Sequence, residues 1–496
     1  MSVEATQARE FVVVIGLEVH VQLETATKIF CGCSTDFADA DPNTHTCPVC
    51  LGLPGALPVV NDGAITAALK LATAIDASVP DQTRFHRKNY FYPDLPKNFQ
   101  ITQYDQPLCR DGRIEITVED ERKEIRIQRA HLEEDPGSLE HEGGDIARAT
   151  YTLVDYNRAG VPLMEIDTAP DFRGPAETRA FLAKLEEMLT YLDIFDPGRD
   201  GSLRVDANVS LVPADAVDDP DDIANDLLDS VARTEVKNIS SHKGAERALA
   251  YEVTRQRNLR RRGARVEQET RHWDETRGVT VGLRTKETES DYRYFPEYDL
   301  PPLRVADRVS AIEIPELPDA RRDRFIREYG MNEEAARKLT TSRAVADFFE
   351  AMADTYDPNV AATWVADNLL GELNYRDMTI EDVADRLDEF ERLIELVEDG
   401  SITVKNAEEI VLRSMLDDGD DPDRIIAREG LGRTDEETVR DAVTAAIEEH
   451  PDAVADYQSG EAGAINFLVG QVMQKTAGQA DPATVNTFLR EELEAI

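Results

Sequence analysis

An α+β fold is predicted: a mixed α/β cradle domain with an antiparallel sheet over residues 1–300, an all-α helical domain over 301–420, and a small helical tail domain over 421–496. Three observations predict it. Strand-like alternation of apolar and polar residues recurs through the first part of the chain and then stops. The Pro-rich stretch Pro296–Pro302 (PEYDLPP) marks the change, and from Pro318 on helical periods, charge and short caps dominate. An acidic link with Gly and Pro, Asp417–Asp423 (DDGDDPD), sets off the tail.

The elements follow in order. Phe11–Leu23 (FVVVIGLEVHVQL) begins apolar and then alternates, with Leu17, Val19, Val21 and Leu23 on one face and Glu18, His20 and Gln22 on the other. Asp62–Ile75 carries an apolar stripe at helical spacing (Ile65, Ala68, Leu69, Ala72, Ile75), with Asn61 or Asp62 as its cap. Arg113–Val118 and Lys123–Arg129 alternate around the acidic turn Glu119–Glu121, a hairpin. Glu177–Leu192 reads as a helix, with Pro175 just before its first turn. Ser202–Val212 alternates again, placing Arg204, Asp206 and Asn208 on one side.

Composition narrows the function. The formal net charge is −44, with basic residues that are mostly Arg and few Lys, the balance of a globular protein adapted to high salt. An apolar share of 41% separates it from an acidic disordered chain. Charge alone argues against nucleic-acid binding, because phosphates recruit Lys and Arg. Any RNA contact must use local basic patches, base and sugar contacts, or screening, the Debye length being ~3 Å at about 1 M salt. No run of apolar residues is long enough to cross a membrane, and Met1–Glu10 is too polar for a signal peptide. A cytoplasmic, reducing location is expected.

Four of five cysteines cluster as Cys31-x-Cys33 and Cys47-x-x-Cys50, the paired spacing of a structural Zn²⁺ site. The loop between the pairs lacks an apolar pattern, so metal would supply its fold energy. Cys109 lies apart and reads as a core residue. Glu18 and His20 share one strand face and can offer carboxylate and imidazole to a hard cation; a solvated strand face is the alternative. Glu133 lies in an acidic cluster, and Glu165 in an apolar strand, where a carboxylate is costly unless paired or metal-bound. No Walker A loop and no G-x-G-x-x-G is present, so any ATP must be held by metal, Arg and backbone amides.

Lys88–Asp105 (KNYFYPDLPKNFQITQYD) mixes aromatics with amides and suits a rigid loop that stacks on a nucleotide or a tRNA end; a stiff, well-packed loop is the alternative. The run Arg255, Arg257, Arg260, Arg261, Arg262 and Arg265 is the best basic patch, unless it is a solvated helix face paired with Glu.

These segments together resemble one family. VIGLEVHVQL at Val14–Leu23, LPVVN at Leu57–Asn61, KNYFYPDLPKNFQITQYDQP at Lys88–Pro107 and HLEEDPG at His131–Gly137 are similar to GatB, the tRNA-binding component of the heterotrimeric tRNA-dependent amidotransferases. LVDYNRAGVPLMEI at Leu153–Ile166, GSLRVDANVS at Gly201–Ser210, EVKNIS at Glu235–Ser240 and TRHWDE at Thr270–Glu275 continue the likeness. SDYRYFPEYDLPPL at Ser290–Leu303 and FLVGQVMQKTAGQADP at Phe467–Pro482 complete it.

The resemblance implies ATP-dependent transamidation of mischarged Asp-tRNA(Asn) and/or Glu-tRNA(Gln). ATP phosphorylates the side-chain carboxylate, and ammonia freed from glutamine by the amidase component, GatA, displaces phosphate. A small third component, GatC, joins the other two. The resemblance also implies Mg²⁺ held by the catalytic residues Glu18, His20, Glu133 and Glu165, with Asn89, Tyr90, Tyr92, Asn157, Arg158, Ser202 and Arg204 as candidates for nucleotide or acceptor-end contact. The zinc cysteines Cys31, Cys33, Cys47 and Cys50 are structural in this reading. Pro136-Gly137 stands where bacterial members carry Ala-Gly. Two rivals remain: a zinc-stabilised tRNA-binding scaffold without catalysis, and the related archaeal GatE of the two-component, glutamine-specific enzyme. GatE carries a large insertion before its helical region that this chain lacks after Leu303.

Overall fold

The computed structural model describes residues 11–142, 149–199, 201–220, 223–285, 292–432, 436–459, 463–476 and 478–495. Met1–Glu10, too polar for a signal peptide, and the first two residues of the 290–303 segment lie outside them. The chain divides into two compact units at Pro318.

The first unit is built on an eight-stranded sheet. Its strands are β1 (Phe11–Gln22), β4 (Cys109–Val118), β5 (Glu121–Glu134), β6 (Pro162–Thr168), β7 (Leu203–Pro213), β8 (Thr234–Ile239), β9 (Glu269–Asp274) and β10 (Val279–Thr285), in the order β10-β9-β8-β7-β1-β6-β5-β4. Only the β8–β9 pairing is parallel; the others are antiparallel. The predicted hairpin is β4–β5, turning at Glu119 and Asp120, both in the left-handed region. Two short strands, β2 (His86–Asn89) and β3 (Phe99–Thr102), pair beside the sheet with Phe295–Pro296. The aromatic segment read as a rigid loop is therefore flanked by paired strands, and only its middle is irregular.

Period two decides which face is buried. The odd residues of β1 (Ile15, Leu17, Val19, Val21) enter the core with Met164, Ile166 and Leu132. Three helices cover that face: α1 (Asp62–Ala74), α2 (Pro175–Tyr191) and α3 (His242–Arg261), which contribute Leu69, Leu185 and Leu249 among others. Each such side chain stabilises by roughly 1.5–3 kcal/mol on burial. Asn61 caps α1 by accepting from the Gly63 and Ala64 amides. Pro175 is the first residue of α2 rather than the one before it, since its missing N–H costs nothing there. Cys109 is fully buried in the core.

The apolar packing of the first unit runs past residue 300: Leu303, Val305, Val309, Ile312, Ile314 and Leu317 still join its core. The second unit has no strand among its described residues and carries two apolar clusters, one from Phe325 to Leu431 and one from Val439 to Leu493. The acidic Asp417–Asp423 stretch does not end the first cluster. Asp421 caps the helix Pro422–Glu429, whose Ile425 is buried within it.

Candidate functional site

The face of the sheet opposite the three helices carries polar side chains in register. Arg204, His20, Glu165 and His131 are successive cross-strand partners on β7, β1, β6 and β5. Two residues along, Asp206, Glu18, Asp167 and Arg129 form the parallel row. Alternation forces this: residues two apart share a face, and register lines them up across neighbours. Glu133 lies next to the first row on β5, opposite Leu163.

The structure thus brings together all four residues read as catalytic. His20 Nε2 lies 3.4 Å from Glu18 Oε1, and His20 Nδ1 lies 3.8 Å from Glu165 Oε2 and 4.0 Å from Glu133 Oε1. His131, absent from the sequence-based site, joins them with Nε2 3.6 Å from Glu165 Oε2. Its signal was present: His131 and Glu133 repeat in reverse the two-residue spacing of Glu18 and His20.

Burial sets the protonation states. It lowers His20 to about 4 and His131 well below the usual imidazole value, so both rings are neutral at pH 7 with a lone pair to donate. Burial also pushes Glu133 up to about 7 and Glu165 well above the carboxylate range, and neighbouring acids, Glu18 among them, reinforce both shifts. The flanking acids have cations of their own. Arg129 donates to Asp167 at 2.6 Å, Arg204 to Asp135 at 2.6 Å, and Lys237 to Asp206. Among the described residues, Glu133 Oε2 and the Nδ1 atoms of His20 and His131 are buried without a hydrogen-bond partner. Neutral imidazoles, crowded carboxyls and orphaned donor atoms fit a divalent cation.

Glu18 and Glu165 line a cleft of about 1010 Å³. Its wall holds five cations (Lys88, Arg110, Arg129, Arg233, Lys237) against five acids (Glu18, Glu165, Asp167, Asp229, Glu235), a local balance of zero in a chain of −44. Burial depresses Lys88, but the charges of Glu133 and Glu165 outweigh it and hold the ammonium protonated well above the usual lysine value. Its Nζ sits 5.1 Å over the Tyr292 ring. Tyr292 and Tyr294 line the cleft; Tyr294 stacks on Tyr104 at 4.2 Å. Lys88, Tyr292 and Tyr294 also escaped the sequence reading as site residues, since they come from segments about 200 residues apart.

The weaker candidates scatter. Arg204 belongs to the first row. Asn89 donates to the Tyr292 and Arg293 carbonyls, tying the aromatic segments together. Tyr90 meets the Tyr292 ring edge-on at 6.0 Å, and Tyr92 is exposed. Asn157 does not reach the cleft: its amide is spent on the cysteine loop, donating to Asp41 O and accepting from His45 N. Arg158 donates to the carbonyls of Pro136 and Gly137, fixing the loop after Glu133. Ser202 donates to Asp196 O in the turn before β7. Of the arginine run, Arg255 is consumed by Glu252 and Glu269, while Arg261, Arg262 and Arg265 are exposed at and beyond the end of α3.

The four cysteines converge. Cys31, Cys33, Cys47 and Cys50 bring their sulfurs within 4.8 Å of one another and form no disulfide. The buried Lys28 ammonium donates to His45 O at 2.7 Å and lies 3.8 Å from Cys50 Sγ. A hydrogen bond from Cys31, aided by Lys28, pulls Cys50 down to about 4. A thiolate held ready among three other sulfurs fits a tetrahedral metal.

A polar-faced sheet with a carboxylate–imidazole cluster beside a cysteine knuckle defines the class. Residues 13–311 match the family described as GatB/GatE catalytic domain, and residues 347–493 match the GatB domain. The chain belongs to the GatB family, the B components of the aspartyl/glutamyl-tRNA(Asn/Gln) amidotransferases. It is 68% identical to the family member from Haloquadratum walsbyi over 100% of this chain and 99% of the relative. It is 65% identical to that from Haloarcula marismortui, with 100% of both chains covered. It is 54% identical to that from Methanospirillum hungatei, over 97% of this chain and 98% of the relative. The match to a GatB domain after the catalytic domain favours GatB over the GatE reading. No helix among the described residues is long and apolar enough to cross a membrane.

Proposed function

We propose that this chain binds mischarged Asp-tRNA(Asn) and/or Glu-tRNA(Gln) and phosphorylates the aminoacyl side-chain carboxylate with ATP. Ammonia released from glutamine by GatA then displaces the phosphate, giving Asn-tRNA(Asn) or Gln-tRNA(Gln), and GatC completes the heterotrimer. The observation that carries the reading is the cluster Glu18, His20, Glu133 and Glu165 at the wall of a charge-balanced cleft.

A carboxylate is a poor acyl donor because its leaving group would be oxide; phosphorylation supplies a good one. Glu18, His20, Glu133 and Glu165 would hold Mg²⁺, whose chemistry is to neutralise the charge spread over a transferring phosphoryl group. Lys88 offers a fixed positive charge at the cleft wall. Arg204, tied to Asp135, holds that acid away from the cluster. Tyr292 and Tyr294 give flat surfaces for a nucleoside. The four cysteines would hold Zn²⁺ as a structural clamp on the 31–50 loop. The cleft's balance of charges, unlike the acidic remainder, tolerates an anionic tRNA end, and at about 1 M salt the remainder is screened to within ~3 Å. The exposed arginines after α3 and the C-terminal helical tail are the proposed tRNA contacts, with the three-domain division of 1–300, 301–420 and 421–496 as the working plan. A cytoplasmic site of action follows from this role.

The test is ATP cleavage by the heterotrimer at molar salt, with Asp-tRNA(Asn) and Glu-tRNA(Gln) offered separately. ADP release that requires charged tRNA supports the reading. Release indifferent to it, or none, leaves the scaffold reading.

A further inference from the structure

The geometry points to a second divalent-cation subsite, formed by His131 and Glu133 and sharing Glu165 with the first, so that the cleft works with two ions. This rests on the reading of the Glu18 cluster as a cation site. Two triads are present, Glu18–His20–Glu165 and His131–Glu133–Glu165, and within each the donor atoms lie within 4.8 Å of one another. Glu165 alone belongs to both. His20 on β1 and His131 on β5 are its register partners on either side, and their nitrogens approach the same oxygen, Oε2, at 3.8 and 3.6 Å.

One ion cannot serve all five residues as they stand. Bonds from nitrogen or oxygen to such an ion run ~2.0–2.3 Å, so two donors on one ion lie at most about 4.6 Å apart. The triads do not merge into a single five-member set within 4.8 Å. Two centres bridged by a carboxylate satisfy them; a single centre leaves His131 and Glu133 over. Those two are each only 3% exposed, and His131 Nδ1 and Glu133 Oε2 have no hydrogen-bond partner among the described residues.

Charge sets the order of binding. Glu18, Glu133 and Glu165 ionised carry three negative charges; Lys88 and one divalent ion offset them. A second ion leaves two positive charges facing the cleft, which is where a phosphate group would balance them. The second ion therefore enters with phosphate. A site of one imidazole and two carboxylates suits Mn²⁺ or a similar transition ion better than it suits Mg²⁺.

The experiment is a Mn²⁺ titration of the full-length chain, with its cysteine site zinc-loaded, read by electron paramagnetic resonance in molar KCl. It is run with and without imidodiphosphate. The expected result is one Mn²⁺ per chain alone and two with imidodiphosphate, with a spin-coupled spectrum, falling to one in His131→Gln. Saturation at one ion throughout, or a second ion retained in His131→Gln, overturns the shared subsite while the single-ion reading stands. No bound Mn²⁺ under either condition removes the cation reading as well.

Discussion

His20 and Glu165 stand directly opposite each other across the β1–β6 pairing, with Nδ1 3.8 Å from Oε2. A neutral ring and a carboxyl that burial keeps protonated meet there. Such an arrangement is costly in isolation and becomes favourable once a cation enters. Glu165→Gln keeps the shape and removes the charge. It is expected to lower tRNA-dependent ADP formation by about 100-fold or more, the scale of losing one electrostatic stabiliser of a transition state. Binding of charged tRNA, measured by filter retention, should persist. Unchanged ADP formation would take Glu165 out of the site.

Cation affinity should depend on pH with a definite sign. In the ion-free protein Glu133 is pushed up to about 7 and Glu165 well above the carboxylate range, so binding must release protons. Affinity therefore rises with pH, by up to about tenfold per unit for each proton released. The same groups make the ion-free fold less stable as pH climbs from the ordinary carboxylate range to their raised values. Over that window the folded chain holds protons that the unfolded chain has already released. Calorimetric titration of Mn²⁺ between pH 6 and 8 checks the affinity; a flat profile would contradict it.

Lys88→Met removes the ammonium that Glu133 and Glu165 hold protonated beside Tyr292. Carboxylate phosphorylation should fall by about 10–100-fold, with Lys88→Arg recovering part of it. Divalent-cation affinity should not weaken, since a positive neighbour has been taken away. Weaker Mn²⁺ binding in the Met variant would mean that Lys88 acts only by shaping the cluster.

Cys47→Ser should reduce bound zinc from one ion per chain to none and leave residues 31–50 open to limited proteolysis. Asn157 and Lys28 anchor that loop from outside through His45 and Asp41, so the sheet should survive. The melting temperature should drop by a few degrees, as about 1–2 kcal/mol does in a large domain. Metal analysis that finds zinc retained by the variant would refute the four-thiolate site.

Much of the site is legible in the chain because strand alternation is a local code. Glu18 and His20 announce their shared face in three residues, and Glu165 is conspicuous inside Val161–Ile166. Register is not local. Nothing in the chain says that residue 165 lies between residues 20 and 131, and so His131, visible beside Glu133, escapes notice. Lys88 and Tyr292 meet only because β2 pairs with Phe295–Pro296, a contact across some 200 residues. Asn157 shows the converse: its motif points to a ligand, and its amide is spent on the loop of the four cysteines. The end of the first core near Leu317 is hidden because its last apolar residues follow a proline stretch that reads as a boundary.

The most direct test of carboxylate activation is isotopic. Asp-tRNA(Asn), or Glu-tRNA(Gln), carrying ¹⁸O in its side-chain carboxylate is amidated by the heterotrimer with ATP and glutamine, and the released phosphate is analysed by mass spectrometry. Phosphoryl transfer to the carboxylate predicts one ¹⁸O atom in the phosphate for every amide formed. Amide formed with unlabelled phosphate would contradict it.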